Sequence, residues 1–387
     1  MKKKILIVLS YVLVAVLACS GTLYATQQTI PSSKLVALEN LILEKYPDEV
    51  DKTLIEDAAA DAMVAAVGDR WSYYVPAESY NALMESMNNT YVGIGCVLMD
   101  MEGEERYQVR GVTSGGPADQ AGMQVGDVIM EVDGTSVEGM ALTDVSALIK
   151  GEAGTQVTIR VLRKGEGVSL YITRNQIETV VATGNLINDC IGYVRIENFV
   201  ARSADETIAM VEELVEQGAT MLLFDVRYNS GGYEDELIRV LDYLLPEGQL
   251  VRNTDKQGKD EIFSSDASCV DMPMVVLMNQ DSYSAAELFA AVLKEYGAAQ
   301  TVGTNTVGKG HYQSLFQLDD GSAVNLSIGK YYTSRDENLE GIGLTPDVYV
   351  ELGEEEESLL YYGLLEQDQD AQLQAAVELL MQHVIIP

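Results

Sequence analysis

Hydrophobic positions change their period twice along this chain. Over 34–46 and 51–67 apolar residues recur every three or four positions, the spacing of one helix face, and Gly68 ends the second run. From Tyr91 to about Ile177 the pattern shortens to β-type runs punctuated by glycine, at 107–112, 128–132, 156–162 and 168–173. One amphipathic helix is predicted among them, over 142–150. From Val180 onward strands (191–196, 220–226, 274–278, 299–302) alternate with helices (204–217, 234–245, 285–296). Ser203 and Glu206 have capping-box spacing at the first of these helices, with Ile208, Val211 and Val215 as its buried face. Met221-Leu222-Leu223-Phe224 is apolar without a break, as expected of a strand covered on both sides. The acidic run Glu354 to Glu357 reads as a solvated face, and a last amphipathic helix spans 371–384.

The N-terminus differs from all of this. Met1 to Lys4 places three lysines before an apolar stretch from Ile5 to Ala25, the pattern of an export signal, and its length suffices to span a bilayer. An uncleaved signal-anchor with the remainder outside is the first expectation. Cleavage near Ala25 and lipidation at Cys19 are its rivals. The expected layout is a leader at 1–25, a linker and helical domain at 26–90, a mostly β domain at 91–178, an α/β domain at 179–352, and an acidic segment with a helix at 353–387. This is a multidomain α+β protein.

Charge and composition narrow the function. Sixty acidic residues against 25 basic ones leave a net charge of −35, which repels phosphate backbones, so nucleic acid is not an expected partner. Two histidines, His311 and His383, and four scattered cysteines offer no zinc spacing and no disulfide framework, so neither a metal nor a cofactor is expected.

Three segments could carry chemistry. Ser284 follows an apolar strand and a turn and opens a helix, where a hydroxyl is exposed beside the positive helix end; with Glu287 it could equally be a plain capping box. Gly303 to Gly310 holds Lys309 between glycines. It has the GxxxxGK spacing of a phosphate loop, but Gly310 stands where Ser or Thr would be needed. Asp225 to Gly232 ends a strand on paired glycines, which could turn amides toward an oxyanion or could be only a turn.

Together these segments resemble the C-terminal processing peptidases, also called tail-specific proteases. That family's D-L-R-x-N-x-G-G is similar to Asp225 to Gly232, its S-x-S-A-x-E to Ser282 to Glu287, and its T-x-G-K-G-x-x-Q to Thr306 to Gln313. Asp320 to Ala323, Gly329 to Thr333 and Gly341 to Asp347 resemble further family stretches, so the likeness runs from about Leu35 to Glu351. Tyr283, Val226, Ser230 and Val307 depart from the usual residues, and Tyr283 bears on cleavage preference. The β module resembles a PDZ domain: Tyr91-Val92-Gly93-Ile94-Gly95 as its carboxylate-binding loop, and Gly116 to Met123 with Gly126 to Ile129 as a segment common in exported proteases.

The resemblance implies a PDZ domain ahead of an α/β serine peptidase domain of the crotonase/ClpP-like kind. The expected activity is endoproteolysis near the C-termini of proteins, outside the cytoplasm, with the enzyme membrane-tethered or secreted. Ser284 would be the nucleophile and Lys309 the general base, its amine kept neutral by burial and oriented by Gln313. The amides of Ala285 and of Gly231 or Gly232 would form the oxyanion hole. Expected partners are protein or peptide tails and the membrane through the leader; self-association stays open. The alternatives are a triad using His311, a silent PDZ scaffold that binds tails without cutting them, and an acyl-CoA enzyme of similar fold, which the export signal and PDZ module disfavour.

Overall fold

A computed structural model describes residues 33–101 and 104–384. The leader, with Cys19, and the His383 side chain lie outside that description. Among the described residues no helix is long and apolar enough to cross a membrane.

The chain divides into two compact units, ending and beginning at Pro76 and Ala77. In the first, helices Lys34–Lys45 and Lys52–Ala65 are each capped as their sequences suggest. The Ser33 hydroxyl accepts from Val36 N–H at 3.3 Å, and the Asp51 carboxylate from Thr53 N–H at 2.9 Å. Neither helix has a buried residue. Lys52 joins them through Glu39 at 3.0 Å.

The second unit begins with helix Ala77–Met87 and then enters the β module through the strand Thr90–Gly93. The module's main sheet orders Cys96–Met101, Glu104–Val112, Val128–Val132, Gln156–Arg163 and Glu166–Thr173 side by side. Its side chains alternate: Val157, Ile159 and Val161 are fully buried while Gln156 and Arg160 face water, the mark of an antiparallel sheet with one covered face. The chain leaves through Asn175–Glu178, which pairs antiparallel with Thr90–Gly93, so one two-stranded ribbon carries both crossings.

The α/β part is built on a six-stranded sheet in the order Ala182–Ile187, Ile191–Ile196, Met221–Asp225, Met274–Met278, Ala299–Gly303, Val348–Tyr349. All neighbours after the first pair run parallel. Alternate residues of one strand feed two cores. Leu222, Phe224, Val276 and Met278 pack with helices Ser203–Glu216, Glu234–Leu244 and Ala285–Tyr296. Met221, Leu223, Val275 and Leu277 pack with Leu373, Ala376 and Leu380 of helix Ala371–Val384. Each such side chain contributes roughly 1.5–3 kcal/mol by leaving water, which is why these strands read as unbroken apolar runs. A second, antiparallel group joins Asp260–Ser265, Gly248–Asp255, Ala323–Tyr332 and His311–Gln317 in that order.

One local expectation is corrected. The Ser203/Glu206 capping box does not form, because Arg202 occupies the N-cap in a left-handed conformation (φ 72°) and Glu206 turns to Arg202 and to the Val181 amide. Glu236 from the next helix caps instead, accepting from Ala204 N–H at 2.7 Å and from the Ser203 hydroxyl at 3.3 Å. A tertiary carboxylate has outcompeted the local one.

Candidate active site

Parallel strands in register bring their C-terminal ends to one edge, the place where open α/β sheets bind ligands. Asp225 lies opposite Leu277 and Met278 opposite Gly303, so the three candidate turns emerge side by side from three adjacent strands. They are then stitched together. Tyr228 N–H donates to Asn279 Oδ1 at 2.9 Å, Tyr283 N–H to Asn229 O at 3.1 Å, and Val307 N–H to Ser282 O at 3.2 Å. The buried Ser282 hydroxyl spans two turns, donating to Val226 O at 2.7 Å and accepting from Asn279 N–H at 3.0 Å.

Ser284 has φ 60° and ψ −122°, a conformation that costs a non-glycine residue about 1–3 kcal/mol and persists only when the surroundings impose it. The imposing groups are Glu287 and Gly231. A Cβ at Gly231 (φ 86°) would stand 2.8 Å from Ser284 Cβ and from the Ala285 nitrogen, so the turn approaches the serine only because that residue is glycine. Beneath it, Arg227 grips Asp225 through two N–H donors at 2.9 and 2.6 Å and reaches Asp370 and Gln372 on the C-terminal segment. Burial works to raise the Asp225 carboxyl, but the Arg227 charge and hydrogen bonds outweigh it and hold it below the usual carboxylate range.

Glu287 is fully buried. Its Oε2 accepts from Ser284 N–H at 3.0 Å and Lys309 N–H at 2.9 Å; its Oε1 accepts from Gly308 N–H at 2.7 Å and from the Thr306 hydroxyl. One carboxylate thus ties the serine turn to the lysine turn. Burial pushes its proton affinity up, and the four donors partly offset that. The sequence presented Glu287 only as a capping partner; its span of two motifs was not legible there.

Lys309 is 9% exposed, and its Nζ donates to Gln313 Oε1 at 2.6 Å. The Tyr283 ring centroid is 6.0 Å from that Nζ, so one of the four residues that depart from the family pattern borders the amine. His311 Nδ1 is 2.9 Å from Glu340 Oε2, and among the described residues no hydrogen bond joins His311 to Ser284. On the glycine turn, the Gly231 amide donates to Asn229 Oδ1 at 2.8 Å. Among the described residues the Gly232 and Ala285 amides donate to no protein acceptor.

In the β module, Tyr91, Val92 and Gly93 are spent in the ribbon. The Ile94 and Gly95 carbonyls accept from Ala118 and Thr113, while their amides donate to no protein acceptor among the described residues. The strand that follows, Cys96–Met101, is a sheet edge carrying exposed Val97 and Met99.

Residues of the two modules meet at the ribbon. Arg202 donates to Asn88 O at 3.0 Å and Thr179 O at 2.9 Å, and Asn89 and Asn198 exchange amide hydrogen bonds at 3.1 and 2.8 Å. The adjoining Phe199 reaches the glycine turn: its N–H donates to Gly231 O at 2.9 Å, and its O accepts from Tyr233 N–H at 2.7 Å. A cleft of about 880 Å³ opens beside this junction, lined by Gln120, Arg174, Glu178 and Arg202 among others. It contains none of the residues of the three turns and is the gap between modules rather than the site of chemistry.

The profile of Peptidase family S41 matches residues 190–350, and that of a PDZ domain matches 108–163. The chain is 31% identical over 314 residues to the carboxy-terminal processing protease CtpA of Bacillus subtilis, covering 80% of this chain and 67% of that one. The chain belongs to the carboxyl-terminal-processing peptidases of family S41. Another member, the carboxyl-terminal-processing protease of Synechocystis sp., is 29% identical over 354 residues, covering 89% of this chain and 82% of its own. Among solved structures, the photosystem II D1 C-terminal processing protease superposes with a TM-score of 0.50 at 29% identity, over 87% of this chain and 91% of that one. This S41 peptidase is therefore a serine-type enzyme with a PDZ domain ahead of its catalytic domain, as the motifs implied.

Proposed function

We propose that this peptidase cuts protein tails by acyl transfer at Ser284, with Lys309 as general base and Gln313 as the residue that orients its amine. The observation that carries this reading is the Glu287 carboxylate, which grips the backbone amides of Ser284 and Lys309 with a single oxygen. The neutral Lys309 amine takes the Ser284 proton as Oγ attacks the scissile carbonyl. The oxyanion then forms against the Ala285 amide and the uncommitted amide of Gly232, while Gly231 allows the close approach. The lysine ammonium next protonates the departing amine, and water repeats the sequence to release the acyl group.

Tail recognition follows from the PDZ module: the free amides of Ile94 and Gly95 suit a terminal carboxylate, and the edge strand Cys96–Met101 can pair with the residues before it. Gating has a route as well, since Asn198 and Phe199 connect the PDZ ribbon to the glycine turn. The catalytic domains lie outside the cytoplasm, tethered by the leader at 1–25. Protease accessibility on intact cells tests that placement, and protection of the catalytic domains would refute it. The intact Ser284, Lys309 and Gln313 set argues against a silent scaffold. The deciding experiment compares Ser284→Ala, Lys309→Ala and His311→Ala on an unfolded tail substrate. The first two are expected to abolish cleavage and the third to retain most of it, and the opposite pattern would replace the dyad with a histidine triad.

A further inference from the structure

The turn that follows the strand Met221–Asp225 closes with Asn229 N–H donating to Val226 O at 3.2 Å, and its third residue, Tyr228, has φ 62°. A positive φ at that position alone is the mark of a type II turn, where glycine or asparagine is the usual residue. A tyrosine there is strained and persists only where its surroundings impose the conformation. They do so at both ends of the residue. Its N–H donates to Asn279 Oδ1 at 2.9 Å, its hydroxyl donates to the Glu357 carboxylate, and its ring meets that of Tyr361 edge-on with centroids 5.4 Å apart. Glu357 and Tyr361 lie one turn apart on the helix Glu354–Tyr361, which stands beyond the 190–350 stretch matched by the family profile. The same C-terminal segment grips the preceding residue, with Arg227 Nη2 2.8 Å from Asp370 Oδ2. Burial first, and then the Glu357 hydrogen bond, raise the Tyr228 phenol above its ordinary range, so it remains a proton donor. From Tyr228 onward the turn is fastened as far as the glycines. Asn229 is fully buried; its Nδ2 donates to Ile196 O at 2.8 Å and its Oδ1 accepts from Gly231 N–H at 2.8 Å.

We propose that the helix Glu354–Tyr361 is a latch on the oxyanion turn: Glu357 and Tyr361 hold the Tyr228 side chain, Tyr228 holds the left-handed backbone at the start of the turn, and the turn carries the Gly232 amide to the carbonyl that Ser284 attacks. Tyr228, Glu357 and Tyr361 are positioning residues, acting through the turn and not on the reacting atoms. The inference rests on the acyl-transfer reading and adds to it a segment outside the matched profile. Without the latch, Tyr228 relaxes toward the negative φ that an L residue prefers, and the amides after it shift. Oxyanion donors act on charge that develops in the transition state, so their displacement lowers turnover while leaving tail binding nearly intact.

The test combines Glu357→Ala with Tyr361→Ala, once in the wild type and once in Tyr228→Asn, because asparagine tolerates the left-handed backbone and offers no phenol to hold. In the wild-type background, kcat and the acylation rate of a serine-reactive probe should fall about tenfold or more, with KM within about twofold. In the Tyr228→Asn background the same two changes should alter kcat by less than about twofold, whatever level that background itself sets. An unchanged kcat in the first background, or an equal fall in both, overturns the latch, and an inactive Ser284→Ala control then leaves acyl transfer at Ser284 standing. If Ser284→Ala still cleaves, the acyl-transfer reading falls and this one with it. Should the helix variant not fold, Tyr228→Phe removes the hydroxyl alone: a reduced acylation rate supports the latch, and a wild-type rate overturns it.

Discussion

Replacing Glu287 separates its acceptor role from its charge. In Glu287→Ala the amides of Ser284, Gly308 and Lys309 all lose a buried acceptor. At about 1–3 kcal/mol for each orphaned donor, the loss is roughly 3–9 kcal/mol, comparable to the whole stability of a domain. Glu287→Gln behaves differently because its amide can be oriented. Keeping oxygen at the Oε2 position preserves both Ser284 and Lys309, while the Gly308 amide and the Thr306 hydroxyl proton lose the Oε1 acceptor. At about 1–3 kcal/mol for each, the cost is about 2–6 kcal/mol, offset by the Thr306 oxygen accepting from the new NH2 group and by no longer burying a charge. Thermal melting should therefore fall on the order of 10 °C or more for Ala and only a few degrees for Gln. Hydrogen exchange at peptides covering 284–288 and 306–310 should accelerate strongly in Ala and weakly in Gln. Equal melting temperatures for Ala and wild type, or a Gln variant worse than Ala, would refute the view that this carboxylate joins the two turns.

Glu234, at the start of the helix after the glycine turn, has its carboxyl raised to about 7, first by burial and then by Glu261 and Asp235, against an opposing Asn253 hydrogen bond. A raised carboxyl keeps its proton in the folded state while the unfolded chain releases it. Its contribution to stability is therefore full below about pH 4.5, declines to about pH 7, and is level above that. The decline amounts to at most about 3 kcal/mol. Glu234→Gln should flatten that part of the wild-type-minus-variant stability curve and raise melting at pH 8. The new amide can also donate to Asn253 Oδ1, which is buried without a partner among the described residues. An unchanged pH slope would show that the carboxyl is solvated. For Gly231→Ala, the added methyl 2.8 Å from Ser284 Cβ must displace the serine, so kcat should drop about 100-fold or more with the fold retained. Wild-type turnover in that variant would mean the turn does not shape the site.

Much of this protein follows from sequence alone because its strongest signals are local. Periodicity located the helix Ala285–Tyr296 and the strand Met274–Met278 with both ends correct, since core-facing residues there are spaced by the backbone geometry itself. The three catalytic-type motifs and the PDZ segments were also readable, because each needs particular residues at short, fixed intervals. What remained hidden was every relation between distant segments. Ser203 and Glu206 looked like a capping box until Glu236 took the helix end, and Glu287 looked like a cap until it proved to hold Lys309 as well. Tyr331 read only as part of the family-like stretch from Gly329 to Thr333: what its hydroxyl does depends on a strand pairing that sets it against the Lys309 carbonyl, twenty-two positions earlier in the chain. A hydrogen bond across a core costs nothing in sequence pattern, because any residue that can reach may supply it, and reach exists only once the sheet has assembled.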